Sequence, residues 1–389
     1  MLPRNVLIIA AEDSSAAYAT KFLDCWNKKF PDSLTHFWGI GSAEMMRFGF
    51  EAIATPRDMA LMGFYEVVRH YPKLRRVFFQ ILNQIRQNPP DVAILMDYPG
   101  FNIRLAKKMR PFIKRIIYWI PPQVWAWKQN RVKDLKKYVD EVISVFPFEF
   151  DFLKDRGVNT FYFGHPVVSL LSKELWDHGV RHRQRARAGI DANSLVIGLL
   201  PGSRLKEIEH HLPSFLQAAE LIYRQYPQAI FLIPVAPSLR IEDIRQRLGH
   251  ISFPLIIQKR EKPEESLMLL DYAVAASGTV TLLLALLKIP MVICYQVSTV
   301  TYFLMRLFVR FGITHFGLPN LLSRERHITE LFQYQVTPEN IFQEVHRYFS
   351  NQEYQTKIHS QLDHVHQSLI NSDQPIERIV DHVAMTATN

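Results

Sequence analysis

The apolar positions of this chain fall in short, near-continuous runs separated by longer amphipathic stretches. In the first half the runs are 5–11, 36–40, 91–97, 116–120, 141–146 and 160–163. Helical spacing fills most of the gaps, at 15–30, 64–87, 101–113, 130–138 and 147–155. An unbroken apolar run suits a strand buried on both faces, and helices between such strands suit a parallel sheet covered on both sides. The pattern restarts after 190, with runs at 195–200, 229–235, 253–257, 272–276 and 290–295 and helices at 205–226, 239–248, 264–269 and 279–287. The tail 339–385 reads as helices.

These elements predict an α/β protein with two Rossmann-like, doubly wound domains facing across a cleft. The first spans 1–175 and the second 190–340, and the helices of 341–389 return to pack on the first. The junction falls in 165–193, where His165-Pro166 leads into a charged stretch carrying Arg181, Arg183, Arg185 and Arg187. Open α/β sheets bind ligands beyond the carboxyl ends of their strands, so the residues that follow strands are the candidates for chemistry.

Composition narrows the class. A length of 389 residues agrees with two or three domains, and 48% apolar with 21% charged residues excludes long disorder and a collagen-like chain. Cys25 and Cys294 are too far apart in sequence for a disulfide framework or a zinc motif, and a reducing compartment fits them. The opening residues turn polar too early for a signal peptide and read as a first strand. The longest apolar windows, 279–293 and 299–311, are broken by Lys288, Arg306 and Arg310, which argues against a membrane span. The net charge of +9 is uneven: residues 1–190 hold 29 Lys and Arg against 18 Asp and Glu, the remainder 17 against 19. A basic first half suggests an anionic partner: nucleic acid, a membrane surface or a phosphorylated substrate.

Several positions could carry chemistry. Asp97 ends the run VAILM ahead of Tyr98-Pro99-Gly100, where it could act as a general base or simply cap a turn. Pro201-Gly202-Ser203-Arg204 links the run LVIGLL to a helix. Helix N-termini attract anions and an Arg fork suits phosphate, though an ordinary strand-to-helix turn has the same form. Ser277-Gly278-Thr279 repeats the arrangement, and two such turns in one domain point to a nucleoside diphosphate. His165 reads better as the cap of a linker turn than as a ligand contact, and His210-His211 as an exposed helix face. Met62-Gly63-Phe64-Tyr65, followed by Arg69, Lys73, Arg75 and Arg76, suits either an anionic membrane interface or a core helix with a basic outer face. Trp125-Ala126-Trp127 with Lys128 and Arg131 could stack on a base, sit at a lipid boundary or be buried. There is no Walker loop, no G-x-G-x-x-G, no nucleophile elbow and no set of residues with metal-ligand spacing.

Taken in order, the segments resemble the lipid-A-disaccharide synthase family. The resemblance is carried by Ala60-Leu61-Met62-Gly63-Phe64 with Glu66-Val67, by Asp97 with Pro99 and Phe101-Asn102, and by Pro122 through Trp127 with Arg131-Val132. It continues through Phe146-Pro147-Phe148-Glu149, Gly164-His165-Pro166, Leu199 through Arg204 with Glu207, and Ala276-Ser277-Gly278-Thr279. It ends with Leu318-Pro319-Asn320-Leu321-Leu322 and Glu330-Leu331 with Gln333. This resemblance implies a glycosyltransferase B fold and an inverting transfer. UDP-2,3-diacylglucosamine would be the donor and 2,3-diacylglucosamine 1-phosphate (lipid X) the acceptor. The products would be a β-1,6-linked disaccharide 1-phosphate and UDP, with no metal ion or other cofactor.

The same resemblance makes Asp97 the catalytic base. It assigns the UDP-sugar to Pro201, Gly202, Ser203, Arg204, Glu207, Ser277, Gly278, Thr279, Asn320, Glu330 and Gln333. It assigns the acceptor and membrane side to Glu12, Ser14, Met62, Gly63, Phe64, Trp125 and Trp127. A peripheral place on the cytoplasmic face of an anionic inner membrane follows; a homodimer stays open, and nucleic acid is not expected because no recognised binding module occurs.

The chain also departs from the family pattern. The family's first loop reads Gly-Glu-x-Ser-Gly-Asp, and here it is Ala11-Glu12-Asp13-Ser14-Ser15-Ala16. Side chains therefore enter a loop expected near substrate. Leu283 stands where the family has an acidic residue, Pro121 where it has Ser, and Arg324-Glu325-Arg326 where it has Gly-Arg-Glu. These changes suit an altered acyl-chain or sugar preference, or a degenerate paralogue that binds without catalysis. Another UDP-sugar enzyme, such as a UDP-N-acetylglucosamine 2-epimerase or the transferase that builds the peptidoglycan lipid precursor, would share the fold, but the 59–68 patch and Trp125–Trp127 argue against both.

Overall fold

The computed structural model describes the chain except for residues 60–63, 126–127, 172–174, 176–179, 192, 237–238, 260–262, 297–316, 324–326, 371–373 and 386–389, and except for the side chains of 64–71 and 263. The chain divides into two compact units, Met1–Leu170 with Asn371–Asn389, and Leu171–Ile370.

The first unit runs β1 (Asn5–Ala10), α1 (Asp13–Lys29), β2 (His36–Ile40), α2 (Ala43–Met46), β3 (Phe50–Ala54), α3 (Pro56–Met59), α4 (Phe64–Gln87), β4 (Val92–Met96), α5 (Pro99–Met109), β5 (Arg115–Trp119), α6 (Arg131–Tyr138), β6 (Glu141–Ser144), α7 (Pro147–Asp155) and β7 (Thr160–Tyr162). All seven strands are parallel, in the order β3-β2-β1-β4-β5-β6-β7. Every residue of β1, β4 and β5 is buried, as strands sandwiched between helix layers require.

The second unit runs α8 (Val180–Arg187), β8 (Leu195–Leu200), α9 (Leu205–Gln225), β9 (Ala229–Pro234), α10 (Ile241–Arg245), β10 (Leu255–Gln258), α11 (Pro263–Leu267), β11 (Tyr272–Ala276), α12 (Thr279–Leu286), β12 (Met291–Tyr295), α13 (Leu318–Ser323), β13 (Glu330–Phe332), α14 (Pro338–Ser350) and α15 (Gln352–Ile370). Its six parallel strands are ordered β10-β9-β8-β11-β12-β13. Of the tail helices, α14 and α15 stay with this unit, and only α16 (Pro375–Met385) returns to the first. There Arg115 clamps Glu141 through two nitrogens at 2.7 and 3.0 Å and donates to the carbonyls of His382 and Val383 at 3.2 and 3.1 Å. The apolar stretch 299–311 lies outside the described residues, and among the described residues no helix is long and apolar enough to cross a membrane.

Both sheets reverse their winding once. In the first the reversal lies between β1 and β4, in the second between β8 and β11. At such switch points the connections leave in opposite directions and open a crevice beyond the carboxyl ends of the strands.

Candidate active site

Asp97 directly follows β4, at the switch point of the first sheet. It and Tyr98 hold left-handed backbone conformations, φ 47° and 44°. Two successive left-handed residues without glycine are costly and persist only where the surroundings fix them. Here the surroundings do so. The Asp97 carbonyl accepts from the Tyr118 hydroxyl at 2.7 Å and from the Asn102 amide at 2.7 Å, and that same amide reaches the Met96 carbonyl at 3.0 Å. The Asp97 N–H points to the carbonyls of Ile120 and Trp119 at 3.2 and 3.3 Å. Tyr118 and Asn102 are fully buried, whereas Asp97 is partly exposed at the rim.

Glu12 lies across the same switch point, at the N-cap of α1 after β1. Its N–H donates to the Ser15 hydroxyl at 3.1 Å, and that hydroxyl returns to the Glu12 carbonyl at 2.8 Å. Ser15 and Ala11 are buried, so the side chains that replace the family glycines pack inward and tighten the helix start rather than filling the crevice. Ser14 stands half-buried in the first turn. Burial, with the charges of Asp97 and Glu12 adding to it, pushes the Tyr118 phenol well above its ordinary range, and burial with Glu12 raises Tyr98. Glu12 and Asp97 therefore act on a common surrounding.

Glu149 sits in the first turn of α7, only 1% exposed, and accepts from the Val145 N–H at 3.2 Å. Burial pushes its carboxyl up to about 8, and the Asp97 charge adds to the shift. His165 is buried as well; its Nδ1 accepts from the Val167 N–H at 3.1 Å, which places the ring proton on Nε2. Burial holds its pKa down to about 3, so the ring is neutral. It fixes the 3₁₀ turn at Pro166–Leu170 and lies 5.1 Å from Phe146, as expected for a residue that shapes the end of β7. Trp125 is half-buried, with its ring edge-on to Phe148 at 5.1 Å. Met62, Gly63 and Trp127 lie outside the described residues, as does the side chain of Phe64.

In the second unit, Pro201 through Arg204 leave β8 and Ser277 through Thr279 leave β11, the two strands that flank its switch point. The two turns differ. Gly278 has extended backbone, and nothing lies within 4 Å of where a Cβ would be. Gly278 and Thr279 are exposed at the start of α12, which leaves room for an anion. The 202–204 turn is instead closed by Glu207. Its Oε2 accepts from the Ser203 N–H at 2.8 Å and its Oε1 lies 3.3 Å from Arg204 Nη1. Gly202 has φ 126°, and a Cβ there would stand 2.5 Å from both the Cβ and Oε2 of Glu207.

His211 corrects the sequence expectation of an exposed pair. It is 4% exposed, donates through Nδ1 to the Glu207 carbonyl at 2.8 Å and accepts at Nε2 from the Gln296 N–H at 3.2 Å. Four residues beyond Glu207, it lies one helical turn further on, facing the end of β12 instead of solvent.

Asn320, expected beside the nucleotide sugar, is fully buried. Its amide donates to the Ile328 carbonyl at 2.8 Å and to Glu330 Oε1 at 2.6 Å, and its oxygen accepts from Gln361 at 2.7 Å. Gln361, which sequence reasoning did not single out, also donates to the Ser323 hydroxyl at 2.7 Å and accepts from the N–H groups of His327 and Ile328 at 3.0 and 3.1 Å. Asn320 thus fixes Glu330 from within the fold. Gln333 follows β13 with φ 51° and is 8% exposed. Leu283 is half-buried on α12, and residues 324–326 lie outside the described residues.

A protein family described as lipid-A-disaccharide synthetase matches residues 6–382. The chain is 34% identical over 367 residues to a lipid-A-disaccharide synthase of Trichlorobacter lovleyi, covering 94% of each chain. It is 31% identical over 385 residues to one of Coxiella burnetii, covering 98% of this chain and 99% of that one. Among solved structures, a Staphylococcus aureus MnaA–UDP complex superposes with a TM-score of 0.63 at 10% identity, covering 98% of this chain and 96% of that one. At that identity the likeness speaks for the fold alone.

Proposed function

This chain belongs to the lipid-A-disaccharide synthase family, and from that premise we propose that it transfers 2,3-diacylglucosamine from its UDP ester to 2,3-diacylglucosamine 1-phosphate (lipid X). The observation that carries the proposal is the placement of the polar groups at the two switch points. The first has two carboxylates, Asp97 after β4 and Glu12 after β1; the second has two strand-to-helix turns, 277–279 open at the start of α12 and 201–204 with the Glu207 carboxylate against its donors. A base for an acceptor hydroxyl and a seat for a diphosphate are the two requirements of an inverting sugar transfer from a UDP-sugar.

In this reading Asp97 takes the proton of the acceptor hydroxyl as its oxygen attacks the anomeric carbon and the bond to UDP breaks. The Asn102 and Tyr118 bonds to the Asp97 carbonyl hold the base in its left-handed conformation, so it spends little freedom at the moment of reaction. Arg204 and the N–H groups at the start of α12 stabilise the charge that develops on the departing diphosphate. Glu330, fixed by Asn320, and Gln333 shape the sugar side. The protein would act peripherally on the cytoplasmic face of an anionic membrane. In support, Phe79 and Phe112 are exposed on the first unit, each with a guanidinium over its ring, Arg75 at 5.5 Å and Arg86 at 5.8 Å.

The test is incubation of the purified protein with UDP-2,3-diacylglucosamine and lipid X, read by product mass. A disaccharide 1-phosphate released with UDP supports the proposal. A folded protein that releases UDP without disaccharide, or makes no product, points to the degenerate paralogue.

A further inference from the structure

The 202–204 turn is occupied by the chain's own carboxylate, and this changes the part Glu207 can play. An ionised carboxylate only accepts hydrogen bonds and offers nothing to a phosphate oxygen but repulsion. Both of its oxygens are already engaged with groups that a diphosphate would use: Oε2 with the Ser203 N–H at 2.8 Å and Oε1 with Arg204 Nη1 at 3.3 Å. It also covers the space that Gly202 leaves by lacking a side chain. The Glu207 side chain is 31% exposed and its backbone is anchored by α9, so the carboxylate can turn outward while the helix stays in place. Its charge also contributes, after burial, to the raised pKa of Tyr295 at the end of β12, two strands away from β8.

We infer that Glu207 is an internal anion that competes with the UDP diphosphate for Ser203 and Arg204, sets how readily UDP is released, and is not itself a UDP ligand. The inference rests on the proposal that this turn seats the diphosphate. Glu207 itself accepts from the Ser203 N–H and from Arg204 Nη1. An arriving diphosphate, with more charge and more oxygens, displaces it. Once transfer is complete, the returning carboxylate offers those donors an alternative partner and UDP leaves. A turn without this competitor would hold its product longer, which benefits affinity and penalises turnover.

The experiment is calorimetric titration of the full-length protein with UDP, alongside steady-state transfer, for wild type, Glu207→Gln, Glu207→Ala and Arg204→Met. Both Glu207 variants should bind UDP about tenfold more tightly, as expected when a charged competitor for a charge-assisted bond is removed. Their turnover should fall and their inhibition by UDP should deepen. Arg204→Met should bind UDP more weakly. If both Glu207 variants bind UDP with unchanged or lower affinity while Arg204→Met is impaired, the competitor role is wrong; weaker binding would make Glu207 a direct UDP contact. If Arg204→Met binds UDP as wild type does, the placement of the diphosphate on this turn fails instead.

Discussion

The N–H of Asp97 donates to the carbonyl of Ile120 at 3.2 Å, and both residues lie in left-handed backbone conformations at the ends of adjacent parallel strands. Ile120, at φ 64°, is β-branched and precedes Pro121, two reasons for its conformation to be unfavourable. Its carbonyl is thereby turned toward Asp97. The strain of one residue supports the conformation of the other, and this is the arrangement that brings the Asp97 side chain to the rim of the sheet.

Asp97→Asn keeps the shape and removes the basicity. Turnover should fall by about 10²–10⁴-fold, the usual contribution of a positioned base, with UDP affinity unchanged. Steady-state kinetics beside UDP titration would check this. Normal turnover would show that the base lies elsewhere.

Tyr118→Phe removes one of the two side-chain donors to the Asp97 carbonyl while preserving packing. The Asn102 amide remains, so Asp97 should stay in place but less firmly. The expected result is a drop of roughly tenfold in kcat with little change in KM for either substrate, the pattern of an interaction that matters for reaching the transition state. A rise in KM alone would assign Tyr118 to binding.

Gln361→Leu should be costly to the fold. The side chain joins Asn320, Ser323 and the N–H groups of His327 and Ile328 inside the second unit. Leucine leaves several buried polar groups unpaired, each worth about 1–3 kcal/mol. A loss of about 3 kcal/mol or more is expected by urea denaturation. If the Asn320–Glu330 link also positions the sugar side, the residual folded enzyme should show a higher donor KM with nearly normal kcat.

Much of this organisation was legible in the sequence because fully buried strands announce themselves as unbroken apolar runs. NVLIIA, VAILM, LVIGLL and YAVAA became β1, β4, β8 and β11, the four strands that flank the switch points. The polar residues after them were therefore legible too. Strands β3 and β13 were not. Each lies at a sheet edge with a partner on one side only, β3 has an exposed Glu51 as its second residue, and β13 has only three residues. Local pattern also says little about partners distant in sequence. His211 meets Gln296, and Gln361 meets Asn320, only after the sheet is assembled. Nor does a Pro-Gly-Ser-Arg string reveal that a glutamate three residues beyond it will fold back over the turn.

The buried acid of Glu149 gives a prediction that pH can test. Its carboxyl, ordinarily near 4.5, titrates at about 8 in the folded protein. Between those values the folded chain holds a proton that the unfolded chain has released. Stability must then fall as pH rises, by up to ~1.4 kcal/mol per unit, and level off above about 8. His165 has the opposite sign. Its folded pKa of about 3 lies below the ordinary 6.5, so its contribution is lost as pH falls through that interval. From about 6.5 to 8 the His165 contribution is constant, and the Glu149 slope stands out against it. Glu149→Gln cannot ionise, so relative to wild type its stability should rise steadily across this window and stay level beyond it. Urea denaturation at half-unit steps would check this. A constant difference between the two proteins from pH 6.5 to 8 would mean that Glu149 is already ionised in the fold, and that a second negative charge stands beside Asp97 at neutral pH.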